Sequence, residues 1–429
     1  MYNLLVKLPN NNKILLILLL IIILNYFFFN HRLIFRQNPY IVGDWLLNYQ
    51  GGFVRRGLFG EIIFFIANKL NIPILTITYL TSSSFFLAFV IFYYQCIKKI
   101  LKSNFLLIYL FLPSTLLFTF FDPLAIGRKE SLVLLFITIY SIFLTQNLNS
   151  KFITQLILSI LILLITLTHE IMFFYTPYIF AIKFIFLNNV KINLNSFKFF
   201  YFEFFLFFIS LICIIFIFSF SHLHDSDLRC KSLLSLNLSD SLCGTVIEEG
   251  KGNRERYWTT IFPYFLERNY FTTYGLVILL NFLPILIYFI LQKKTKKIKS
   301  RISLYTVLSL ICFFFTLPIF IIVNDWGRYL HIHFIIHGLL FAILLKKHSN
   351  NFKIKLHELS LFKKLSILTI IVFYLTSWFM PHCCRSEIGE GYKSIYNRIS
   401  FRLFDESNET LKYGIDYPRL ILRKVFNLN

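Results

Sequence analysis

A short polar segment near the N-terminus contains the residue types that could bind an anion. It follows Gly43-Asp44-Trp45 and has two adjacent glycines and then two adjacent arginines, at Gly51, Gly52, Arg55 and Arg56. Adjacent glycines let the backbone approach a ligand closely, and each arginine presents a planar fork that binds phosphate or carboxylate through two hydrogen bonds. The alternative is an amphipathic helix on the membrane surface, with Asp44 as its N-cap.

Three more polar islands interrupt the apolar sequence and are predicted on the same side of the membrane as the first. They are Asp122 with residues 127–130, His169-Glu170, and residues 324–328. Ionisable residues at membrane depth are costly and are therefore functional candidates. The candidate substrate-binding residues from these islands are Arg128, His169, Glu170, Asp325 and Arg328. The alternative is purely structural, with Asp325 neutralising Arg328 or Glu130 neutralising Arg128.

The histidines of residues 329–345 suggest two kinds of chemistry. His333 and His337 are spaced i, i+4 on one helical face, within reach of a shared metal ion or phosphate. Without a His-Glu-x-x-His pattern, neutral histidines near the lipid headgroups are the favoured interpretation, so we assign no metal ligand and leave a divalent ion open. His331, like His169, could donate a proton to a leaving phosphate oxygen.

The composition dictates what surrounds these residues. Of 429 residues, 57% are hydrophobic and 15% are charged, and the net charge is +22. Apolar runs long enough to cross a bilayer recur along the whole chain, which excludes a soluble enzyme and a disordered protein. The basic residues lie between these runs, so they indicate membrane topology and no nucleic-acid partner. No P-loop, nucleophile elbow or dinucleotide fingerprint is present.

The pattern predicts an all-α integral membrane protein with about eleven transmembrane helices. A break is expected near Thr168, His169 and Glu170, because residues 152–186 are too long for one crossing, and Pro177 is the other candidate break. The predicted spans are 14–29, 73–96, 105–121, 131–147, 152–168, 171–187, 199–220, 273–291, 302–323, 329–345 and 363–380.

The basic residues also predict the orientation. With a cytoplasmic N-terminus and a retained first span, the cytoplasmic loops are rich in Lys, and the opposite face collects most of the Arg. This arrangement places a multi-pass protein in a bacterial inner membrane, with the polar islands and the C-terminus outside. The expected parts are an N-terminal membrane part at 1–220 with the motif 40–61, an outward loop at 221–272, a second membrane part at 273–380 and an outward tail at 381–429.

Four of the seven cysteines lie in the predicted outward loop and tail, where an oxidising compartment permits disulfides. Cys230 and Cys243 are the candidate pair, and their bond would close a loop of about 14 residues, worth on the order of 3 kcal/mol. Cys383 and Cys384 are adjacent, so each could bond a different cysteine or stay free.

The first-loop motif resembles that of the polytopic glycosyltransferases of the GT-C superfamily. The shared features are an acidic residue shortly after the first span, Asp44, then an aromatic residue, then a segment with Gly-Gly and Arg before the second span. The resemblance implies a GT-C-like helical bundle, a polyprenyl-phosphate-linked sugar donor, and Asp44 as the catalytic base. The chain has one acid here where a paired acidic motif is usual, and its tail is too short for a soluble C-terminal domain.

The leading hypothesis is a membrane glycosyltransferase that transfers a sugar from a polyprenyl-phosphate or polyprenyl-diphosphate donor to an envelope glycan, lipid or protein acceptor. Asp44 would accept a proton from the acceptor hydroxyl, while Arg55, Arg56 and Arg328 hold the departing phosphate. The alternatives are a polymerase of lipid-linked oligosaccharides of the O-antigen type, a transporter or flippase for an anionic lipid-linked substrate, and a structural subunit of an envelope complex.

Overall fold

The computed structural model describes residues 11–98, 104–146, 148, 151–187, 198–221, 225–243, 265, 269–291, 296–346 and 361–383. Within these residues the secondary structure is helical and contains no β-strand. The expected all-α architecture is therefore confirmed for these residues, whereas the GT-C-like arrangement stays a prediction. Most of the predicted loop at 221–272 and tail at 381–429 lies outside the described residues.

The helices of the described residues follow the apolar runs. In chain order they are α1 Asn11–Phe35, α2 Pro39–Leu46, α3 Gly57–Leu70, α4 Ile74–Lys98, α5 Asn104–Leu110, α6 Phe118–Phe121, α7 Glu130–Thr145, α8 Phe152–Thr168, α9 Met172–Tyr175, α10 Pro177–Leu187, α11 Tyr201–Phe220, α12 Ser226–Leu234, α13 Tyr270–Leu291, α14 Lys296–Ile322, α15 Trp326–Lys346 and α16 Leu361–Thr376.

Six of these helices are long and apolar enough to cross a membrane: α1, α4, α11, α13, α14 and α15. Large apolar side chains stay exposed along several of them, among them Leu24, Ile212, Leu279 and Phe314. Soluble proteins rarely expose such a continuous apolar surface, so these faces indicate contact with lipid. Helices α7, α8 and α9–α10 are apolar but shorter than these six. The count of eleven spans therefore stays a prediction.

The predicted span at 105–121 is not one helix, and this part of the prediction is wrong. The structure has the short helices α5 and α6 with irregular backbone between them. Pro113 cannot continue a helix, and the Thr115 hydroxyl lies 2.8 to 3.1 Å from the carbonyl oxygens of Tyr109, Leu110 and Leu112, any of which can accept its proton. Ser114 is fully buried, as expected, because non-helical backbone at membrane depth must be shielded from lipid.

The predicted break after residue 168 is present. Helix α8 ends at Thr168, and α9 begins at Met172, so His169 and Glu170 lie in the turn between them. A second break precedes Pro177, which begins α10. The chain therefore reverses next to His169-Glu170, and α7 and α8 run away from this point and back to it.

Helix α15 forms the centre of the fold. Its apolar window is 94% buried, far more than that of the other long helices. It packs against α5, α7, α10 and α14, so its first turn reaches the N-terminus of α7. This packing brings two polar islands that are about 200 residues apart in sequence to one end of the bundle.

Candidate functional site

All four polar islands meet at one end of the helices. Contributions come from α2, the turn before α3, the N-terminus of α7, the α8–α9 turn and the start of α15. The resulting charged cluster consists of five cations and four carboxylates around one histidine: Arg55, Arg56, Arg128, Lys129, Arg328, Asp44, Glu130, Glu170, Asp325 and His169. Every candidate substrate-binding residue from the islands belongs to it.

Arg56 is the link between the first-loop motif and the α8–α9 turn. Its Nε and Nη2 atoms donate to the Glu170 carboxylate at 2.8 to 3.0 Å. Arg56 also has φ 64°, the left-handed conformation that non-glycine residues rarely adopt. Strained backbone of this kind persists where the surrounding structure holds it, and it concentrates at functional sites. The turn therefore fixes the Arg56 guanidinium against a carboxylate.

Arg328 is bound to two carboxylates. It forms ion pairs with Glu130 at the start of α7 and with Asp325 in its own turn. The structural alternative predicted that Asp325 neutralises Arg328, and this ion pair is present. Glu130 pairs with Arg328, not with its neighbour Arg128, and the Nη1 atom of Arg128 donates to the Tyr40 carbonyl oxygen at 2.5 Å. Long-range packing, not sequence proximity, selects these partners.

Lys129 is a fully buried cation that was not among the candidate residues predicted from the sequence. Its Nζ atom donates to the Arg56 carbonyl oxygen at 2.9 Å and lies 5.8 Å from the centre of the Trp45 ring. The Trp45 indole in turn donates to the Gly127 carbonyl oxygen. Cation–aromatic attraction and these hydrogen bonds hold the ammonium beside α2. Its position inside a Gly-Arg-Lys-Glu island was the available signal.

Asp44 differs from the other carboxylates of the cluster. It is 1% exposed, and neither of its carboxylate oxygens accepts a hydrogen bond. Its ion-pair partner is Arg56, 3.8 Å away. Burial opposes ionisation, but the charges of Lys129 and Arg56 outweigh it and hold the pKa of Asp44 below its usual range. Asp44 is therefore an ionised carboxylate with free acceptor positions.

Asp44 does not cap a surface helix, which contradicts the alternative interpretation of the motif. The N-cap of α2 is Asn38, whose side chain accepts from the Tyr40 and Ile41 amides, and Pro39 follows it at the first helical position. Residues 41–46 of α2 are buried. The helix thus lies inside the protein with Asp44 in its interior.

His169 and Arg55 complete the cluster. The His169 ring is fully buried, with Nε2 3.6 Å from Glu130 and Nδ1 3.9 Å from Glu170. Arg55 is partly exposed and lies 3.7 Å from the same Glu170 carboxylate. His169 therefore bridges the two carboxylates that hold Arg328 and Arg56, and Arg55 is the cation of the cluster closest to the surface.

A cavity of about 30 Å³ lies beside the cluster, and both polar and aromatic side chains line it. His331 lines it, stacked on Phe118 with Nδ1 3.2 Å from the Ser114 carbonyl oxygen. A volume of this size accommodates a water molecule but not a sugar. The polar walls are Arg128, Glu130, Arg328 and His331, and the aromatic walls include Tyr26, Phe86, Phe89 and Phe118.

His333 and His337 are hydrogen-bonded inside the protein, and their position near the lipid headgroups stays a prediction. Both are buried in the middle of α15, 2.9 Å apart between their Nε2 atoms. Tyr178 of α10 contacts both rings, and Ser309 of α14 lies 3.1 Å from His337 Nδ1. Neighbouring side chains therefore satisfy these histidines. Among the described residues, no group of three or more His, Cys, Asp or Glu side chains is arranged to hold a metal ion.

The segment after α16 also reaches this end of the bundle. The His382 amide and ring Nδ1 both lie 2.8 Å from the Asp122 carboxylate, and the His382 carbonyl oxygen accepts from the Gly327 amide. A Cβ atom at Gly327 would lie 1.9 Å from the Pro381 carbonyl oxygen. A glycine at position 327 is therefore required for this segment to pack against the start of α15, close to Asp325.

Part of the predicted outer loop packs on the first-loop motif. Cys230 and Cys243, the candidate pair, form a disulfide beside helix α12. The Asp225 amide donates to the Gly51 carbonyl oxygen at 2.7 Å, and the Asn48 side chain donates to Ser232 at 3.3 Å. A Cβ atom at Gly51 would lie 1.9 Å from the Asp225 carbonyl oxygen. Gly51 thus permits close approach of the loop backbone, not of a ligand, in this structure.

No known protein family, curated protein or solved structure matches this chain.

Proposed function

We propose that the chain is a membrane glycosyltransferase that uses a polyprenyl-phosphate-linked sugar, with Asp44 as the general base. The observation that supports this proposal is the Asp44 carboxylate, which is buried and ionised and accepts no hydrogen bond. A buried acceptor without a partner is costly. An acceptor hydroxyl entering the site would supply the missing donor and present its proton to the carboxylate.

The surrounding cations fit the second half of the reaction. As the sugar leaves its lipid carrier, negative charge develops on the phosphate. Fixed cations therefore stabilise the transition state more than the bound substrate. Arg55 is the most exposed cation of the cluster, and Arg128 donates to a backbone carbonyl oxygen, so these two guanidinium groups are the candidates for the phosphate. A low pKa makes Asp44 a weak base, so its contribution depends on position and on the proton moving late in the reaction.

The proposed setting is the extracytoplasmic face of a bacterial inner membrane, with an oligosaccharide, lipid or protein acceptor. The Cys230–Cys243 disulfide supports this setting, since such bonds persist in oxidising compartments. Labelling with an impermeant thiol reagent tests it in intact cells. Gln50→Cys, at an exposed position of the motif, should be labelled, and Lys151→Cys, exposed at the opposite end of α8, should not. The reverse pattern would contradict the orientation.

The reaction itself is tested by deleting the gene from its host and comparing the envelope glycans of the deletion strain and the parent strain by mass spectrometry. Loss of a single sugar mass from an acceptor, with accumulation of its lipid-linked donor outside, is the expected result. A polymerase would instead leave single repeat units on the acceptor, and it would give Asp44 no task. Unchanged glycans would contradict both enzymes.

A transporter for an anionic lipid-linked substrate is the second candidate, and two observations favour it. The interrupted helix α5–α6 and the buried His333–His337–Tyr178 contacts are irregular and titratable elements inside the bundle. Transporters use such broken helices at their binding sites. Deletion would then trap the lipid-linked donor in the cytoplasmic leaflet.

A further inference from the structure

Arg229 of helix α12 is buried without any hydrogen-bonding partner. Its side chain is 0% exposed, and none of its Nε, Nη1 and Nη2 atoms makes a hydrogen bond. Of the buried lysines and arginines in the described part of the chain, Arg229 alone has this property. A guanidinium carries five donors and stays charged in proteins, so a buried one without acceptors is strongly unfavourable.

Asp225, the carboxylate whose charge acts on Arg229, does not hydrogen-bond to its guanidinium. Asp225 lies one turn earlier, but its side chain caps α12 and accepts from the Asp227 and Leu228 amides at 2.8 and 3.2 Å. Burial lowers the pKa of Arg229, and the charge of Asp225 opposes that shift. The guanidinium therefore keeps its charge and its free donors.

The position of Arg229 is fixed relative to the motif that contains Asp44. Arg229 is next to Cys230, which forms the disulfide with Cys243. The Arg229 amide nitrogen would lie 3.4 Å from a Cβ atom placed on Gly51. Ser232, one turn later, contacts Asn48, four residues after Asp44. Hydrogen bonds from the Asp225 amide to the Gly51 carbonyl oxygen and from Asn48 to Ser232 thus hold this helix against the first-loop segment.

The buried arginines of the charged cluster already have partners, and Arg128 donates to the Tyr40 carbonyl oxygen. Arg56 is bound to Glu170, and Arg328 is bound to Glu130 and Asp325. An incoming phosphate would have to compete with these carboxylates for the same donors. No carboxylate hydrogen-bonds to the Arg229 guanidinium, and its fork matches two phosphate oxygens.

We propose that Arg229 binds the phosphate group of the lipid-linked substrate, a role predicted from the sequence for Arg55, Arg56 and Arg328. The inference rests on the proposed function for the identity of that lipid. It requires the outer-loop helix to be part of the substrate site, with Asp44 at the sugar-acceptor end and Arg229 at the phosphate end.

The test is thermal unfolding of the purified full-length protein in detergent, with geranyl phosphate, geraniol and inorganic phosphate as probes. Geranyl phosphate should raise the Tm of the unsubstituted protein, and geraniol should not. Arg229→Gln should weaken the apparent affinity at least tenfold, and Arg229→Lys should retain part of it. Lys231→Gln removes the same charge from an exposed position of the same helix and should change the affinity less than twofold.

Three results would overturn the proposal: equal affinity in Arg229→Gln, equal loss in Lys231→Gln, or no shift by either phosphate probe. An equal shift by inorganic phosphate and geranyl phosphate would identify free phosphate as the ligand and reject the lipid. Arg229→Met without probe should keep or raise the Tm, because it removes an unpaired buried charge. A lower Tm would instead indicate a structural cation and contradict the proposal.

The two proposals fail separately. Asp44→Asn should still bind geranyl phosphate, since Asp44 acts on the acceptor. Lost transfer in Asp44→Asn with normal probe binding in Arg229→Gln would reject the role of Arg229 and leave the glycosyltransferase standing. Lost probe binding in Arg229→Gln with normal transfer in Asp44→Asn would do the opposite.

Discussion

Arg56 and Glu170 are 114 residues apart and share three hydrogen bonds of 2.8 to 3.0 Å inside the protein. The pair joins the turn before α3 to the turn after α8, and both turns contribute to the charged cluster. Lys129 also donates to the Arg56 backbone. The geometry around Asp44 therefore depends on this pair.

Removing one member of the pair should destabilise the protein strongly. Glu170→Met leaves the Arg56 guanidinium buried without its main partner, which typically costs about 3–5 kcal/mol. Replacing both residues, as Arg56→Met with Glu170→Met, should cost less than the sum of the single losses. Thermal or denaturant unfolding of the three variants measures this, and additive losses would show that the pair is not coupled.

The same pair predicts how stability depends on pH. Burial opposes ionisation of Glu170, but the charges of Arg56 and Arg55 hold its pKa well below the usual 4.5. A lowered folded-state pKa gives stability that is fully present above pH 4.5 and lost as the pH falls towards the folded-state value. The Tm should therefore fall between pH 5 and pH 3, and it should fall less in Glu170→Gln. Parallel pH profiles for the two proteins would contradict this.

Gly60 allows α3 to pack on the backbone after α2. A Cβ atom there would lie 1.8 Å from the Leu47 carbonyl oxygen, which cannot move as a side chain would. Gly60→Ala should therefore destabilise by at least about 1–3 kcal/mol, the usual cost of overpacking. Gly275→Ala is the matched control, because nothing lies within 4 Å of its Cβ position in α13. Equal Tm values for the two variants would refute the close approach.

The Cys230–Cys243 disulfide should matter for ligand binding more than for the bundle. In the chain-entropy estimate, its loss lowers the stability of the folded outer-loop segment by about 3 kcal/mol. Replacing both cysteines with serine should weaken geranyl phosphate binding, because Arg229 is the residue next to Cys230. The pair of substitutions Cys213→Ser and Cys312→Ser changes free buried cysteines and should leave binding intact. Unchanged binding without the disulfide would show that α12 is held by its other contacts alone.

Local sequence signals were sufficient for much of the fold. Apolar run length predicted the long helices, and the break at His169 and Glu170 followed from a run too long for one crossing. The Asn38-Pro39 pair was an available signal for the start of α2, since Asn at the N-cap and Pro at the first position is a common combination. The interruption at Pro113 was similarly readable, but the apolar residues on both sides concealed it.

The pairing of charges could not be predicted, because it depends on packing between distant helices. The polar islands were expected on one side of the membrane, but no local sequence pattern predicts that Glu130 pairs with Arg328 and not with Arg128. Burial of Arg229 was also invisible, since an arginine in a polar nine-residue helix is ordinarily exposed. His333 and His337 show the reverse case, where the i, i+4 spacing correctly predicted that the two rings lie side by side.

The most direct test of the account measures sugar transfer by Asp44→Asn. The variant is introduced into the deletion strain, and the acceptor glycan is quantified by mass spectrometry against Asp227→Asn, an exposed carboxylate variant on α12. Loss of the base should reduce transfer by about 10²- to 10⁴-fold, while Asp227→Asn restores it fully. Full restoration by Asp44→Asn, at equal amounts of protein in the membrane, would contradict Asp44 as the catalytic base.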